Sequence, residues 1–221
     1  MIAPSEIMLN IRLVFASLCF GYLLLISRLI FAPDSSFAHP DLRFLLLTIL
    51  VNLLVENSIL TFTRALYKCK LLLIFSKVRY LLHAIVTPIL LPMSLDFFDI
   101  ANIEMLGSLK VIAWAVALAW SALSVKISFF NLKLKLVASN NFLRYKNVDS
   151  SGQPLFRIAL VLLILVYFWI GIIKSTNNGL YLIIGSVSML LGNAVAAKHG
   201  LYLSNLGEFI FISMLLMYTF S

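Results

Sequence analysis

The dominant pattern along the chain is a series of apolar runs of about 20 residues, which is the length that an α-helix needs to cross a bilayer. Counting windows of this length predicts about seven transmembrane spans. They lie near residues 11–32, 42–62, 71–95, 105–130, 155–174, 179–197 and 203–220. The pattern therefore predicts an all-α polytopic membrane protein with a single transmembrane domain over residues 1–221.

Charged residues in the connections between these spans predict the orientation of the protein. The basic connections hold Arg64, Lys68, Lys70, Lys133, Lys135, Arg144, Lys146 and Lys198. The connections on the other side hold Asp34, Asp41, Asp96, Asp99 and Glu104. Because basic loops stay in the cytoplasm, we expect a cytoplasmic N-terminus and a C-terminus on the outer side.

One connection, over residues 131–153, is longer than the others and is rich in Asn, Lys and Ser. It separates four spans from a final three. That division is compatible with a 3+1+3 arrangement, in which two groups of three helices flank a linker helix. On the expected orientation this connection is a cytoplasmic loop.

The composition excludes a soluble domain, since 62% of the residues are hydrophobic, only 12% are charged and the mean hydropathy is +1.04. The net charge of +8 does not indicate a nucleic-acid partner, because the basic residues form no continuous stripe. Membrane lipids are the expected surroundings. Cys19 and Cys69 are far apart and give neither a disulfide framework nor a metal motif.

The third span carries polar residues at a spacing of four inside an otherwise apolar run. Arg79, His83 and Thr87 therefore share one helical face. A charge that faces lipid costs at least a few kcal/mol, so this face is expected to point into the bundle. Pro88 and Pro92 follow on the same span and predict a kink or an unwound turn, because proline removes a helical hydrogen bond.

Other spans carry polar residues at a similar depth. They are Asn52 and Glu56 in the second span, Asn193 in the sixth, and Asn205 and Glu208 in the seventh. At a rise of about 1.5 Å per residue, Glu56, Asn193, Asn205 and Glu208 lie in the cytoplasmic half of the membrane, as Arg79 and His83 do. We expect one polar pocket that opens towards the cytoplasm. Helix rotation is only loosely fixed by periodicity, so the sequence leaves open whether Glu56 meets Arg79 or Glu208.

The polar residues suggest acid/base chemistry. Glu56, His83 and Glu208 are the candidate catalytic residues, and the candidate substrate-binding residues are Arg79, Asn52, Asn193, Asn205 and Thr87. An apolar site favours a neutral carboxylic acid, so one glutamic acid could donate a proton while the other stays ionised. His83 would relay the proton, and Arg79 would hold an anionic head group. No metal or cofactor is expected, because the other histidines lie in loops.

Each of these residues also has a purely structural explanation. An ion pair between Glu56 and Arg79 can fix the register of two helices without any chemistry. His83 can be a hydrogen-bonded core residue, and the asparagines can link helices to one another. Glu208 lies near the start of its helix, where a carboxylate complements the helix dipole.

Three functional hypotheses remain open from the sequence. The first is a membrane-embedded enzyme that acts on a lipid or isoprenoid-like substrate. The second is a small-solute or proton-coupled transporter or channel, in which the prolines of the third span form the gate. The third is a non-catalytic subunit of a membrane assembly. The sequence has no phosphate-binding glycine loop, no aspartate-rich diphosphate motif and no zinc-protease motif, so any chemistry must use Glu, Arg, His and Asn.

Overall fold

The computed structural model describes residues 4–33, 40–100, 107–130, 132–139, 142–148, 166 and 178–220. These residues form mainly helices. The helices are α1 (Pro4–Phe31), α2 (Pro40–Thr61), α3 (Thr63–Lys68), α4 (Leu72–Val86), α5 (Leu90–Ile100), α6 (Gly107–Val125), α7 (Gly179–His199) and α8 (Leu201–Thr219). A π-helical segment, Lys126–Phe130, follows α6, and two strands follow it, β1 (Leu134–Ser139) and β2 (Phe142–Asn147).

Within the described residues, six helical segments are long and apolar enough to cross a membrane. They are Ile11–Phe31, Asp41–Thr61, Leu72–Phe98, Gly107–Val125, Gly179–Ala196 and Leu201–Thr219. The predicted multipass helical architecture is therefore confirmed. The predicted span at 155–174 lies outside the described residues, apart from position 166.

The long helices pack side by side in the order α7, α8, α1, α2, α4 and α6. The first turns of α8 lie beside the end of α2, where Asn205 contacts Asn57. At the opposite end of the bundle, Phe97 of α5 packs on Tyr218 of α8 with ring centroids 5.9 Å apart. The core between α1, α2, α5 and α8 is apolar and includes the fully buried Leu50.

Helices α7 and α8 approach each other closely because two glycines face each other. A Cβ atom on Gly192 would lie 2.6 Å from the carbonyl oxygen of Leu203, and one on Gly207 would lie 2.6 Å from that of Ser188. Both distances are too short for any larger residue. These glycines are the close-packing positions that small residues typically occupy between membrane helices.

The predicted break in the third span is present as a 3-10 turn, Thr87–Ile89, between α4 and α5. Pro88 cannot donate a helical hydrogen bond, so the chain leaves the α-helix for one turn. The hydroxyl of Thr87 donates to the carbonyl of His83 at 2.7 Å. From α6, Ser121 donates to the carbonyl of Ile85 at 3.3 Å, which fixes the turn to the neighbouring helix.

The 131–153 segment, expected to be a loop, contains an antiparallel hairpin of β1 and β2. Leu134 pairs with Asn147, and the amide of Val148 donates to the carbonyl of Lys133 at 2.9 Å. Lysine and leucine alternate at the start of β1, and this period of two is the local signal for a strand. The all-α expectation is therefore incomplete for this segment.

Asp96 was expected in an acidic connection, and the structure corrects this. It lies in α5, where its carboxylate accepts a 3.1 Å hydrogen bond from the ammonium group of Lys110 on α6. The ion pair compensates the charge of Asp96, whose side chain is only 12% exposed.

Candidate functional site

The centre of the candidate site is the carboxylate of Glu56. Its Oε1 atom lies 3.8 Å from an Arg79 guanidinium nitrogen, and its Oε2 atom lies 3.9 Å from Nδ1 of His83. Arg79 and His83 share one face of α4 because they are four residues apart, and this face packs against α2. The side chains of Glu56 and Arg79 are 13% and 11% exposed. The question left open by the sequence is therefore answered, since Glu56 meets Arg79.

These two separations have a chemical consequence. Hydrogen bonds between nitrogen and oxygen are usually 2.7–3.2 Å long, so neither contact is a direct hydrogen bond. At such separations, a polar group of a ligand can bridge the carboxylate and its neighbours. Glu56, Arg79 and His83 therefore form a cluster of a carboxylate, a guanidinium and an imidazole that can share one polar ligand atom.

The edge of the β-hairpin packs against α4 at Tyr80, the residue after Arg79. The hydroxyl of Tyr80 accepts a 3.3 Å hydrogen bond from the amide of Asn147 and donates to the carbonyl of Tyr145 at 3.5 Å. In an antiparallel pair, backbone groups alternate between the partner strand and the free edge. Since Val148 bonds to β1, the amide of Asn147 lies on the free edge. Tyr80 therefore caps this edge and attaches the hairpin to α4.

This docking brings a second guanidinium group to the site. Arg144 of β2 interacts electrostatically with Arg79 and with Tyr80. Partial burial, and then the positive charge of Arg79, lower the pKa of Arg144 from its ordinary value. The guanidinium of Arg79 itself lies 5.1 Å from the ring centroid of Tyr80. Sequence reasoning assigned Arg144 only a topological role, since nothing local relates it to Arg79.

Tyr22 of α1 interacts with both candidate carboxylates, Glu56 and Glu208. Its hydroxyl is completely buried in α1 and interacts electrostatically with both Glu208 and Glu56. Within the described part of the chain, this hydroxyl has no hydrogen-bond partner. Glu208 is half-buried on α8. Tyr22 thus interacts with candidate carboxylates on two different helices, Glu56 on α2 and Glu208 on α8.

The predicted substrate-binding asparagines take part in helix packing. The amide nitrogen of Asn205 donates a 3.0 Å hydrogen bond to Oδ1 of Asn57, and both side chains are buried. Asn193 donates to the carbonyl of Met189 and accepts a 2.6 Å hydrogen bond from Ser204. The sequence analysis did not single out Asn57, although it directly follows Glu56.

Two other predicted binding residues lie closer to the cluster. Asn52 is buried one helical turn before Glu56 on α2, so the two residues share a helical face. Thr87 lies one turn after His83, and its hydroxyl donates to the backbone of α4. Substrate binding by either residue stays a prediction.

An apolar groove lies on the outside of the bundle between α1 and α8. Its volume is about 460 Å³, and it is lined by Leu13, Val14, Ser17, Leu18, Leu206 and Phe209. The ring of Phe209 packs edge-on against Tyr22 with centroids 5.2 Å apart. The groove therefore runs along the outer side of the polar region, with Phe209 between the groove and Tyr22.

The groups of the cluster are a carboxylate, a guanidinium and an imidazole. In the described ranges, no three His, Cys, Asp or Glu side chains lie together in a way that could hold a metal ion. Glu56 and His83 are a carboxylate and an imidazole, the commonest groups in acid/base catalysis. Comparison of the chain with protein-family models gives no match, and neither does comparison with curated proteins.

Proposed function

We propose that this protein is a membrane-embedded enzyme that acts by acid/base chemistry on an amphiphilic, lipid or isoprenoid-like substrate. The observation that carries the proposal is the position of the Glu56 carboxylate between Arg79 and His83, at 3.8 and 3.9 Å. Each of the three groups can reach a polar atom bound between them. A purely structural ion pair requires only Glu56 and Arg79, whereas His83 adds a group that exchanges protons near neutral pH.

Each residue has a distinct role in this proposal. Glu56 is the general base, because its carboxylate lies within 4 Å of both Arg79 and His83 and is the acceptor of the cluster. His83 takes the proton from Glu56 or returns it to the product. Arg79 binds the polar end of the substrate and stabilises negative charge that develops during the reaction. Glu208 and Tyr22 supply a second acidic group and a hydroxyl on the other side of Glu56.

The apolar groove between α1 and α8 supports an amphiphilic substrate. Its lining is almost entirely apolar, with Ser17 as the one polar residue among those that form it. Such a surface suits a hydrocarbon chain and offers little to a small polar solute. We infer that the chain of the substrate enters from the lipid along this groove while its polar end reaches the buried carboxylates.

Positive charge at one end of the bundle supports access from the cytoplasmic leaflet. The end of α2, the short helix α3 and the hairpin lie together, because α3 and α4 both contact β2. Exposed basic residues at this end are Arg64, Lys68, Lys70, Lys133, Lys135 and Lys146. Glu56 lies five residues before the end of α2, which is roughly 8 Å along the helix. By the positive-inside rule, the site would open to the cytoplasm.

Proton-coupled transport is the second candidate. The buried hydroxyl of Tyr22, which interacts electrostatically with Glu208 and Glu56, favours it because carboxylates and hydroxyls in series can pass a proton through a membrane. The 3-10 turn at Pro88 would then act as the gate. Transport differs from the enzymatic proposal in leaving every lipid chemically unchanged.

The test is to reconstitute the full chain in liposomes made from a total lipid extract and to measure lipid composition by mass spectrometry over time. We expect one lipid class to be consumed by the wild type and to persist with Glu56→Gln. The matched control is Asp41→Asn, which removes a carboxylate from the first turn of the same helix. It should behave as the wild type.

An unchanged lipid composition with the wild-type protein would overturn the enzymatic proposal. Proton flux in the same liposomes, lost in both Glu56→Gln and Tyr22→Phe, would then establish the transport function instead. Loss of turnover in Asp41→Asn as well would show that the assay reports folding. Folding is therefore measured in parallel by size-exclusion chromatography and thermal unfolding in detergent.

A further inference from the structure

Two arginines that are 65 positions apart in the chain interact electrostatically at the candidate site. Arg79 belongs to α4, and Arg144 belongs to β2. The hydroxyl of Tyr80, the residue after Arg79, bonds to the backbone of Tyr145 and Asn147, so the strand that carries Arg144 is docked on α4 beside Arg79. The interaction of the two arginines is therefore a consequence of specific contacts between α4 and the hairpin.

The charges around this pair do not balance. Glu56 contacts Arg79, but among the described residues no carboxylate lies within 4 Å of Arg144. The side chain of Arg144 is half-buried, in contrast to Lys135 and Lys146 on the same hairpin, which are exposed. A half-buried cation beside another cation is costly unless an anion joins them. The two arginines and Glu56 together carry one net positive charge.

We propose that Arg79 and Arg144 form a binding site for a phosphate group, so that the substrate class of this protein is a phosphorylated amphiphile. This inference rests on the proposed function, since it identifies the polar end of the substrate of the same site. The phosphate would lie between the two guanidinium groups. The hydrocarbon chain would extend towards the lipid.

Phosphate fits this pair better than a carboxylate does. A guanidinium group donates through a planar fork, and two forks from different directions match the several oxygens of a tetrahedral phosphate. A carboxylate has two oxygens, and Glu56 already supplies one carboxylate to Arg79. A phosphate group with one negative charge would neutralise the net positive charge of the two arginines and Glu56.

The rigid docking of the hairpin is part of this site. Tyr80 fixes β2 through backbone groups on both sides of position 146, and its ring lies under Arg79. Tyr80 therefore contacts the guanidinium of Arg79 and fixes the backbone of the strand that carries Arg144. A guanidinium that is already positioned loses less side-chain freedom when it binds its anion, which increases the affinity.

The proposal is tested by native mass spectrometry of the full chain in detergent, titrated with farnesyl phosphate, farnesol and inorganic phosphate. We expect farnesyl phosphate to bind at least tenfold more tightly than farnesol. Arg144→Gln should weaken the binding of farnesyl phosphate by about tenfold, the size of one charge-assisted hydrogen bond. Lys135→Gln is the matched control, because it removes an exposed cation from the same hairpin, and its affinity should stay within about twofold of the wild type.

Several outcomes would overturn the phosphate site. Equal affinities for farnesyl phosphate and farnesol would do so, as would equal losses in Arg144→Gln and Lys135→Gln. Arg144→Lys keeps the positive charge but removes the planar guanidinium group, and it replaces Arg144→Gln in the test if Arg144→Gln does not fold. An affinity for farnesyl phosphate unchanged from the wild type in a folded Arg144→Lys would also count against the site. Displacement of farnesyl phosphate by inorganic phosphate would show that the phosphate group alone is recognised. If inorganic phosphate does not displace farnesyl phosphate, both parts of the amphiphile are needed for binding.

Failure of this inference can be distinguished from failure of the proposed function. Glu56→Gln should abolish turnover but bind farnesyl phosphate at least as tightly as the wild type, because it removes a negative charge from the site. If Glu56→Gln leaves lipid turnover unchanged while Arg144→Gln weakens phosphate binding, the proposed chemistry is wrong and the phosphate site stands. If lipid turnover depends on Glu56 but Arg144→Gln binds farnesyl phosphate as tightly as the wild type, the phosphate site is wrong and the proposed chemistry stands.

Discussion

The side chain of Asn205 donates a 3.0 Å hydrogen bond to that of Asn57, which joins α8 to α2 inside the bundle. Asn57 directly follows Glu56, yet Glu56 faces Arg79 of α4. A rotation of about 100° per residue explains how neighbouring residues of α2 contact different helices. The polar residues of α2 therefore combine a structural contact and a candidate catalytic contact.

The asparagine pair gives the first prediction. Asn57→Leu and Asn205→Leu should each reduce the free energy of unfolding by about 1 kcal/mol, the usual size of a hydrogen bond between membrane helices. The double variant should lose less than the sum of the two, because the second substitution removes a group that is already unpaired. Unfolding of all three variants in mixed micelles measures this coupling. Strict additivity would mean that the two side chains do not interact.

The ion pair between Glu56 and Arg79 gives the second prediction. Arg79→Met should lower the free energy of unfolding by about 3 kcal/mol, because it leaves a largely buried carboxylate without its cation. Adding Glu56→Gln should restore most of that stability, since both charges are then absent. Thermal unfolding in detergent compares the single and double variants. A double variant as unstable as Arg79→Met would refute this explanation.

The double variant also separates structure from function. If the pair only fixes the register of α2 and α4, the stable double variant should keep the function of the protein. We expect it to be folded but inactive in the lipid turnover assay. Full activity of the folded double variant would favour the structural explanation that the sequence left open.

The glycine contact between α7 and α8 gives the third prediction. Gly207→Ala should destabilise the protein by about 2 kcal/mol, because its Cβ atom would lie 2.6 Å from the carbonyl oxygen of Ser188. Gly107→Ala is the control, since nothing lies within 4 Å of a Cβ atom at that position and alanine favours a helix. Thermal unfolding of both variants gives the comparison. Equal stability of the two would contradict the close packing.

The docking of the hairpin gives the fourth prediction. Tyr80→Phe removes the hydroxyl that accepts from the amide of Asn147, so this amide should exchange with solvent deuterium about tenfold faster. Hydrogen exchange followed by mass spectrometry of peptides that cover β2 measures the change. Tyr67→Phe on the neighbouring helix α3 is the control and should leave the exchange rate unchanged. Unaltered protection in Tyr80→Phe would show that other contacts hold the hairpin.

Local features of the chain could be predicted from the sequence. The lengths of the apolar runs predicted each of the six described spans, because a helix must be long enough to cross the hydrocarbon core. The spacing of four predicted that Arg79 and His83 share a face, and Pro88 predicted the break in the third span. The alternation of lysine and leucine around Leu134 is also a local signal for a strand, although the length and the polar composition of this connection favour a loop.

The sequence by itself thus determined which residues are apolar, which share a helical face and where a helix must break, because these depend on neighbours along the chain. Only the tertiary structure decided which helix each face meets. It paired Glu56 with Arg79 and Asn205 with Asn57, and it brought Arg144 to the site through the docked hairpin. Such contacts depend on the rotation and packing of whole elements, and a one-residue turn of a helix changes them by about 100°.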